Sequence, residues 1–213
     1  MKNLPRILMA FAALALLTLF VFPMWRITLV APQYPDGVTM YIYINKLGGD
    51  SPGTLQNVNI LNHYVGMKKI EPESIPELKY FPYVVWGMVV LGLIGVFVNR
   101  SWYFLGWGML MALLAAVGLY DFYLWEYDYG HNLSPMAPIK IPGASFQPPL
   151  LGTKVILNFI AHSYPAIGGY FAGLAILLAF SAWWLKNKID RQYETVSALP
   201  RKRSAAGLLR SVA

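Results

Sequence analysis

Four long stretches of this chain carry no formal charge: residues 7–25, 81–98, 102–120 and 155–185. A hydrocarbon core of about 30 Å needs roughly 20 apolar residues in a helix, and each stretch meets or approaches that length. Backbone left unpaired in lipid is costly, and none of the runs alternates as a barrel strand does. The pattern therefore predicts four transmembrane helices, within residues 1–25, 81–98, 101–120 and 155–185. Lys2 and Arg6 ahead of the first run would also suit a signal peptide. Its apolar core is longer than a signal core, however, and "FPMWRITL" offers no small-residue cleavage site, so it reads as a retained anchor.

Between the runs the periodicity changes. "RITLVA" and "VTMYIYI" alternate with a period of two around "PQYPDG", which predicts a β-hairpin over residues 26–44. "TLQNVNILNHYVGM" predicts a short helix, capped by Thr54, with Leu55, Val58, Leu61 and Val65 along one side. "EPESIPELKYFP" reads as extended and proline-rich, closing a first loop over residues 26–80. The turn "NRS" makes the second and third spans an antiparallel hairpin. The third runs on into "YDFYLWEYDYGHN", an aromatic belt that carries the helix past the lipid surface. The second loop, residues 121–154, includes a proline-rich stretch expected to lie as a fixed, irregular strap. Pro165 marks where an outer extension of the last run meets the span proper. The fold class is an integral membrane α-helical protein: four transmembrane helices with a small mixed α/β extracytoplasmic cap.

Composition agrees with that class and charge orients it. Of 213 residues 57% are hydrophobic and 13% charged, too apolar for an ordinary soluble domain. With four spans, the side holding both termini and the basic tail 186–213 carries ten bases against two acids, and the other side seven against eight. The positive-inside rule then places both termini in the cytoplasm and residues 26–80 and 121–154 outside. The basic tail reads as a partner for anionic lipid, with no nucleic acid implied. There is no cysteine, so the outer loops contain neither disulfides nor thiolate ligands.

All three histidines fall on the predicted outer side. In a helix His63 and Met67 are i and i+4 and share a face, while His131 and Met136 lie five apart in a loop held by Pro135 and Pro138. Imidazole with thioether is a donor set suited to copper, Cu(I) above all. The alternative is that the methionines fill core space and the pairs are packing. His162, with Asn158 one turn earlier in a presumed helix, reads as a helix contact or an additional ligand. Asp128 is placed to support His131 and Asn59 to support His63, Glu126 is expected to face solvent, and Arg26 to anchor at the lipid interface. Nucleotide-binding and esterase motifs are absent, and haem attachment lacks its C-x-x-C-H sequence, although two of the histidines could serve a haem as axial ligands.

"FPMWRITLVAPQYPDG", "LNHYVGMKKIEPE" and "YDYGHNLSPMAPIKIPG" together resemble a family of bacterial four-span inner-membrane proteins. That family is associated with gene sets for copper handling and nitrous oxide reductase maturation, and the resemblance covers most of residues 22–185. It implies a copper-binding accessory or delivery protein facing the periplasm, with a periplasmic or membrane partner, and it identifies no reaction. His63, Met67, His131 and Met136 are the metal-competent residues inside the matching phrases. A non-catalytic subunit of a respiratory membrane complex, holding partners or a haem, is the other reading.

Overall fold

The computed structural model describes residues 3–139 and 145–198. Part of the proline-rich strap and the last fifteen residues of the basic tail lie outside that range. Four helices form one bundle. Helix α1 (Leu4–Ala15) opens with Pro5, whose fixed φ suits a first helical turn, and continues as a 3-10 turn over Leu16–Phe20. Helices α3 (Glu77–Val98) and α4 (Ser101–His131) form the expected hairpin, reversed at Asn99 in the left-handed conformation. Helix α5 (Ile167–Ala198) closes the bundle.

Small residues let these helices approach. A Cβ on Gly92 of α3 would stand 2.7 Å from the Cβ of Ala13 on α1. Ala175, Ala179 and Ala182 of α5 are fully buried against Met9 and Leu16 of α1 and Phe104 of α4. The Trp107 indole donates to the Met88 carbonyl at 2.9 Å and ties α4 to α3. The opposite surfaces expose large apolar side chains such as Phe11, Trp86, Phe97 and Leu177, as lipid contact requires. Among the described residues three helices are long and apolar enough to cross a membrane: α3, α4 and α5. The Leu4–Phe20 segment is apolar but shorter.

Above the bundle stands an antiparallel sheet of five strands, ordered β3-β2-β1-β5-β4. Its strands are β1 (Trp25–Ala31), β2 (Tyr34–Ile42), β3 (Leu47–Gly49), β4 (Gly152–Ile156) and β5 (Phe159–Pro165). The first hairpin matches its expected place with one change of register. The chain turns at Pro32–Gln33, and Pro-Asp-Gly forms a bulge inside β2, where Gly37 takes φ +83°.

The last apolar run departs more sharply from expectation. Residues 155–156 and 159–165 are strand, not the start of a helix, and α5 begins only after Pro165. Leu157 and Asn158 make the hairpin turn, so Asn158 and His162 are not helical neighbours. The physical reason is that the inner face of β5 buries small side chains, Ala161 and Ser163, against the cap core while its outer face carries Ile160, His162 and Tyr164. Neither face needs a formal charge, so the strand looks continuous with the span.

One face of the sheet is covered by α2 (Thr54–Val65) and by the last turns of α4. At 1.5 Å per residue α4 is roughly 46 Å long, well beyond a hydrocarbon core, so its aromatic end stands in the cap. Ile27, Val38 and Met40 of the sheet pack with Val58 of α2 and with Phe122, Trp125 and Tyr129 of α4. Trp25 donates through its indole to Ser163 at 2.7 Å, fastening β1 to β5 where both meet the bundle. Thr54 does not cap α2: its hydroxyl donates to Asp50 at 2.6 Å and accepts from the Ser51 amide, holding the preceding turn.

Candidate functional site

Helix α2 stops at Val65 because Gly66 takes φ +81°, and the Met67 amide donates back to the Asn62 carbonyl at 2.9 Å. Met67 is therefore past the helix end, and the i, i+4 relation expected of His63 and Met67 does not hold. The two still share a surface. With Asn59, Ile60, Tyr64 and Glu71 they line an open groove of about 920 Å³. His63 is exposed there, while Met67 is half-buried and packs into the apolar clusters beneath.

The second pair comes from a segment bound to the first. The Ser134 amide donates to the Gly66 carbonyl at 2.8 Å, and the Ile139 amide to the Tyr64 carbonyl at 3.0 Å. Lys68 pairs with Asp128 at 2.6 Å, and the Tyr129 hydroxyl donates to the Lys69 carbonyl at 3.3 Å. The two cap segments thus converge. His131, however, is the final residue of α4 and not a loop residue. Its ring stacks on Tyr127 at 3.9 Å, and Nδ1–H donates to the Tyr127 carbonyl at 3.0 Å, which leaves Nε2 as the lone-pair nitrogen. Met136 is 84% exposed. Neither residue lines the groove that holds His63 and Met67. Among the described residues no three His, Cys, Asp or Glu side chains gather closely enough to hold a metal ion.

The expected supporting residues have other work. Asp128 accepts from Lys68 and Asn132, and the Lys68 ammonium beside it holds its carboxyl below the ordinary value. It makes no contact with His131 that would orient the imidazole. Asn59 accepts from the Ile70 amide at 2.7 Å and donates to the Ile70 carbonyl at 3.1 Å, so it clamps the chain after α2. His162 lies on the opposite face of the sheet from α2, bonded through Nδ1 to the Thr153 hydroxyl at 2.8 Å. It cannot join His63 or His131 at one ion, nor face either across a haem.

Glu126 reverses its expectation altogether. It is 1% exposed, and neither carboxylate oxygen has a hydrogen-bond partner. Six residues beyond the apolar run, it lies inside the cap, with Gly130 one turn above pressed against the Gln147 backbone. Burial pushes its carboxyl up to about 8, opposed by the charge of Lys154, whose ammonium donates to the Gln147 carbonyl at 3.0 Å. The sequence held the signal: Phe122, Trp125 and Tyr129, four and one before and three after, are apolar residues of that helix that enter the cap core.

No family model matches this chain, and no curated protein matches it either.

Proposed function

We propose that this is a four-span inner-membrane protein with cytoplasmic termini, whose periplasmic cap is an accessory that hands Cu(I) to a cuproenzyme. The fourth crossing is α1 with its 3-10 turn. At their respective rises the two together are roughly 28 Å long, close to a hydrocarbon core. Leu4, Ile7, Phe11 and Leu14 are exposed on its outward side while Met9, Ala12 and Leu16 are buried inward. The charge asymmetry supports the orientation.

The observation that carries the copper reading is the shared groove of His63 and Met67 in a chain without cysteine. Nitrogen and thioether sulfur on one open surface suit a Cu(I) cargo, since thioether binding needs no deprotonation. His131 Nε2 and the Met136 sulfur, on the segment bonded to Gly66, would supply exchange ligands on the way to a partner. The resemblance of "LNHYVGMKKIEPE" and "YDYGHNLSPMAPIKIPG" to a copper-associated family supports the same reading.

The test is competition titration of Cu(I) against a chromogenic chelator. Wild type should bind one ion, and Met67→Leu should weaken binding about ten- to a hundredfold or more, at least as much as losing a residue that only supports a ligand. His131→Ala should slow transfer to an acceptor more than it lowers affinity. Absence of binding, or unchanged affinity in Met67→Leu and His63→Ala, would show that these residues only pack.

A second reading, a non-catalytic subunit of a respiratory complex, is favoured by Tyr123, Leu124 and Tyr127, which leave an apolar face on the outer end of α4 exposed. A stable copurifying membrane partner with no copper affinity would select it.

A further inference from the structure

Strands β1 and β5 leave the bundle side by side, Trp25 opposite Pro165 and Arg26 opposite Tyr164. On the face turned away from α2, Arg26, Thr28, His162 and Tyr164 line a hollow of about 260 Å³. From this arrangement we propose a site for the phosphate of an anionic lipid headgroup in the leaflet below the cap, a function separate from any copper binding.

The donor set is that of a phosphate site. Arg26 is exposed and forms no ion pair among the described residues. Its guanidinium offers a planar fork that matches phosphate oxygens. His162 is held by Thr153 at Nδ1, which leaves Nε2 for a ligand. The Tyr164 hydroxyl lies 3.3 Å from the same Thr153 hydroxyl, so the two rings are braced by one residue. The Thr28 hydroxyl is paired with that of Thr39 at 2.9 Å, and it keeps its own proton for a ligand when Thr39 is the donor of that pair.

Charge supports an anion. By register, Tyr41 of β2 shares the face with Arg26, and Thr153 and Val155 of β4 flank His162 and Ile160. No carboxylate occupies the face at these positions. Asp50, at the end of β3, is turned to the Thr54 hydroxyl and the Thr39 amide instead. Glu126 and Lys154 belong to the other face.

Position selects a lipid over a free anion. Arg26 is six residues beyond Phe20, where the first apolar helix ends, and Tyr164 three residues before α5 begins at Ile167. Both therefore stand at headgroup level on chains that enter the bilayer directly beneath. A snorkelling arginine would need none of the braced neighbours.

The experiment uses the full-length protein in detergent, given equal amounts of phosphatidylglycerol and phosphatidylcholine, and counts retained lipid by mass spectrometry. Wild type should enrich phosphatidylglycerol. A basic residue near an anionic surface is worth about fivefold through charge alone. Arg26→Gln should lose more than that, and Arg26→Lys, which keeps the charge without the fork, should lose most of the enrichment. Arg100→Gln, at the other end of the bundle, should lose no more than that charge contribution. Tyr164→Phe removes only a hydroxyl and covers the case in which an Arg26 variant folds poorly; it too should lower retention. Equal retention of both lipids by wild type, full retention in Arg26→Lys, or displacement of the lipid by millimolar inorganic phosphate would overturn the proposal.

Discussion

The backbone amide of Ser134 donates to the carbonyl of Gly66 at 2.8 Å, joining two cap segments that lie nearly seventy residues apart in the chain. The bond depends on Gly66 in two ways. Its φ of +81° is unfavourable for any side chain, and a Cβ there would stand 2.8 Å from the Ala137 Cβ and 3.0 Å from the Ser134 carbonyl. Gly66→Ala should therefore cost more than about 1 kcal/mol. The readouts are the thermal midpoint and hydrogen exchange at Ser134 and Ile139, both of which should exchange faster. Unchanged protection at these two amides would mean the segments are not joined through Gly66.

Gly92 plays the corresponding part inside the bundle. Its missing Cβ leaves room for Ala13 at 2.7 Å and for the Trp107 indole nitrogen at 3.3 Å. Gly92→Val should destabilise by about 1–3 kcal/mol through overpacking, measured by unfolding in mixed micelles. Gly118→Val is the control, because nothing stands within 4 Å of the Cβ it would add. Equal effects from the two substitutions would contradict the close contact of α1 with α3.

The helical hairpin of α3 and α4 was legible because lipid-facing and core-facing residues are both apolar, so length alone marks each span. The hairpin of β4 and β5 was hidden by the same uniformity. Phe159–Pro165 carries no charge and abuts α5. Only its small-large alternation, Ala161 and Ser163 against Ile160, His162 and Tyr164, distinguishes it. At the site, donor chemistry was readable and geometry was not. Gly66 in "HYVGM" is a helix stop, and it moves Met67 off the face of His63. Asn59 and Asp128 looked like ligand supports because sequence distance says nothing of Ile70 or Lys68, which they bind. The charge of Glu126 points to water, although its neighbours four before and three after are core residues.

Orientation is open to direct measurement because the chain has no cysteine. Lys46 lies in the turn between β2 and β3, and Lys188 on the last turns of α5, both exposed. With the basic side in the cytoplasm, Lys46→Cys should react with an impermeant maleimide in intact cells and Lys188→Cys only after lysis. The reverse pattern would invert the protein, and labelling of both in intact cells would remove a membrane from between them.

The buried carboxyl of Glu126 makes stability depend on pH with a definite sign. In the unfolded chain it titrates near its ordinary value of 4.5; in the folded chain burial raises it to about 8. Between those values the folded protein holds a proton that the unfolded chain has released. Stability contributed by the protonated group is thus complete below 4.5 and is lost as pH rises through 8. Glu126→Leu replaces an unpartnered polar group with an apolar one of similar size and abolishes this titration. Wild type and variant should be closest in stability near pH 5. At pH 8 the variant should be the more stable, by on the order of 1 kcal/mol or more. The quantity to measure is the difference between the two proteins at each pH, since histidines and other groups common to both cancel from it. A difference that stays constant from pH 5 to 8 would mean that Glu126 ionises freely and that water reaches it in the folded cap.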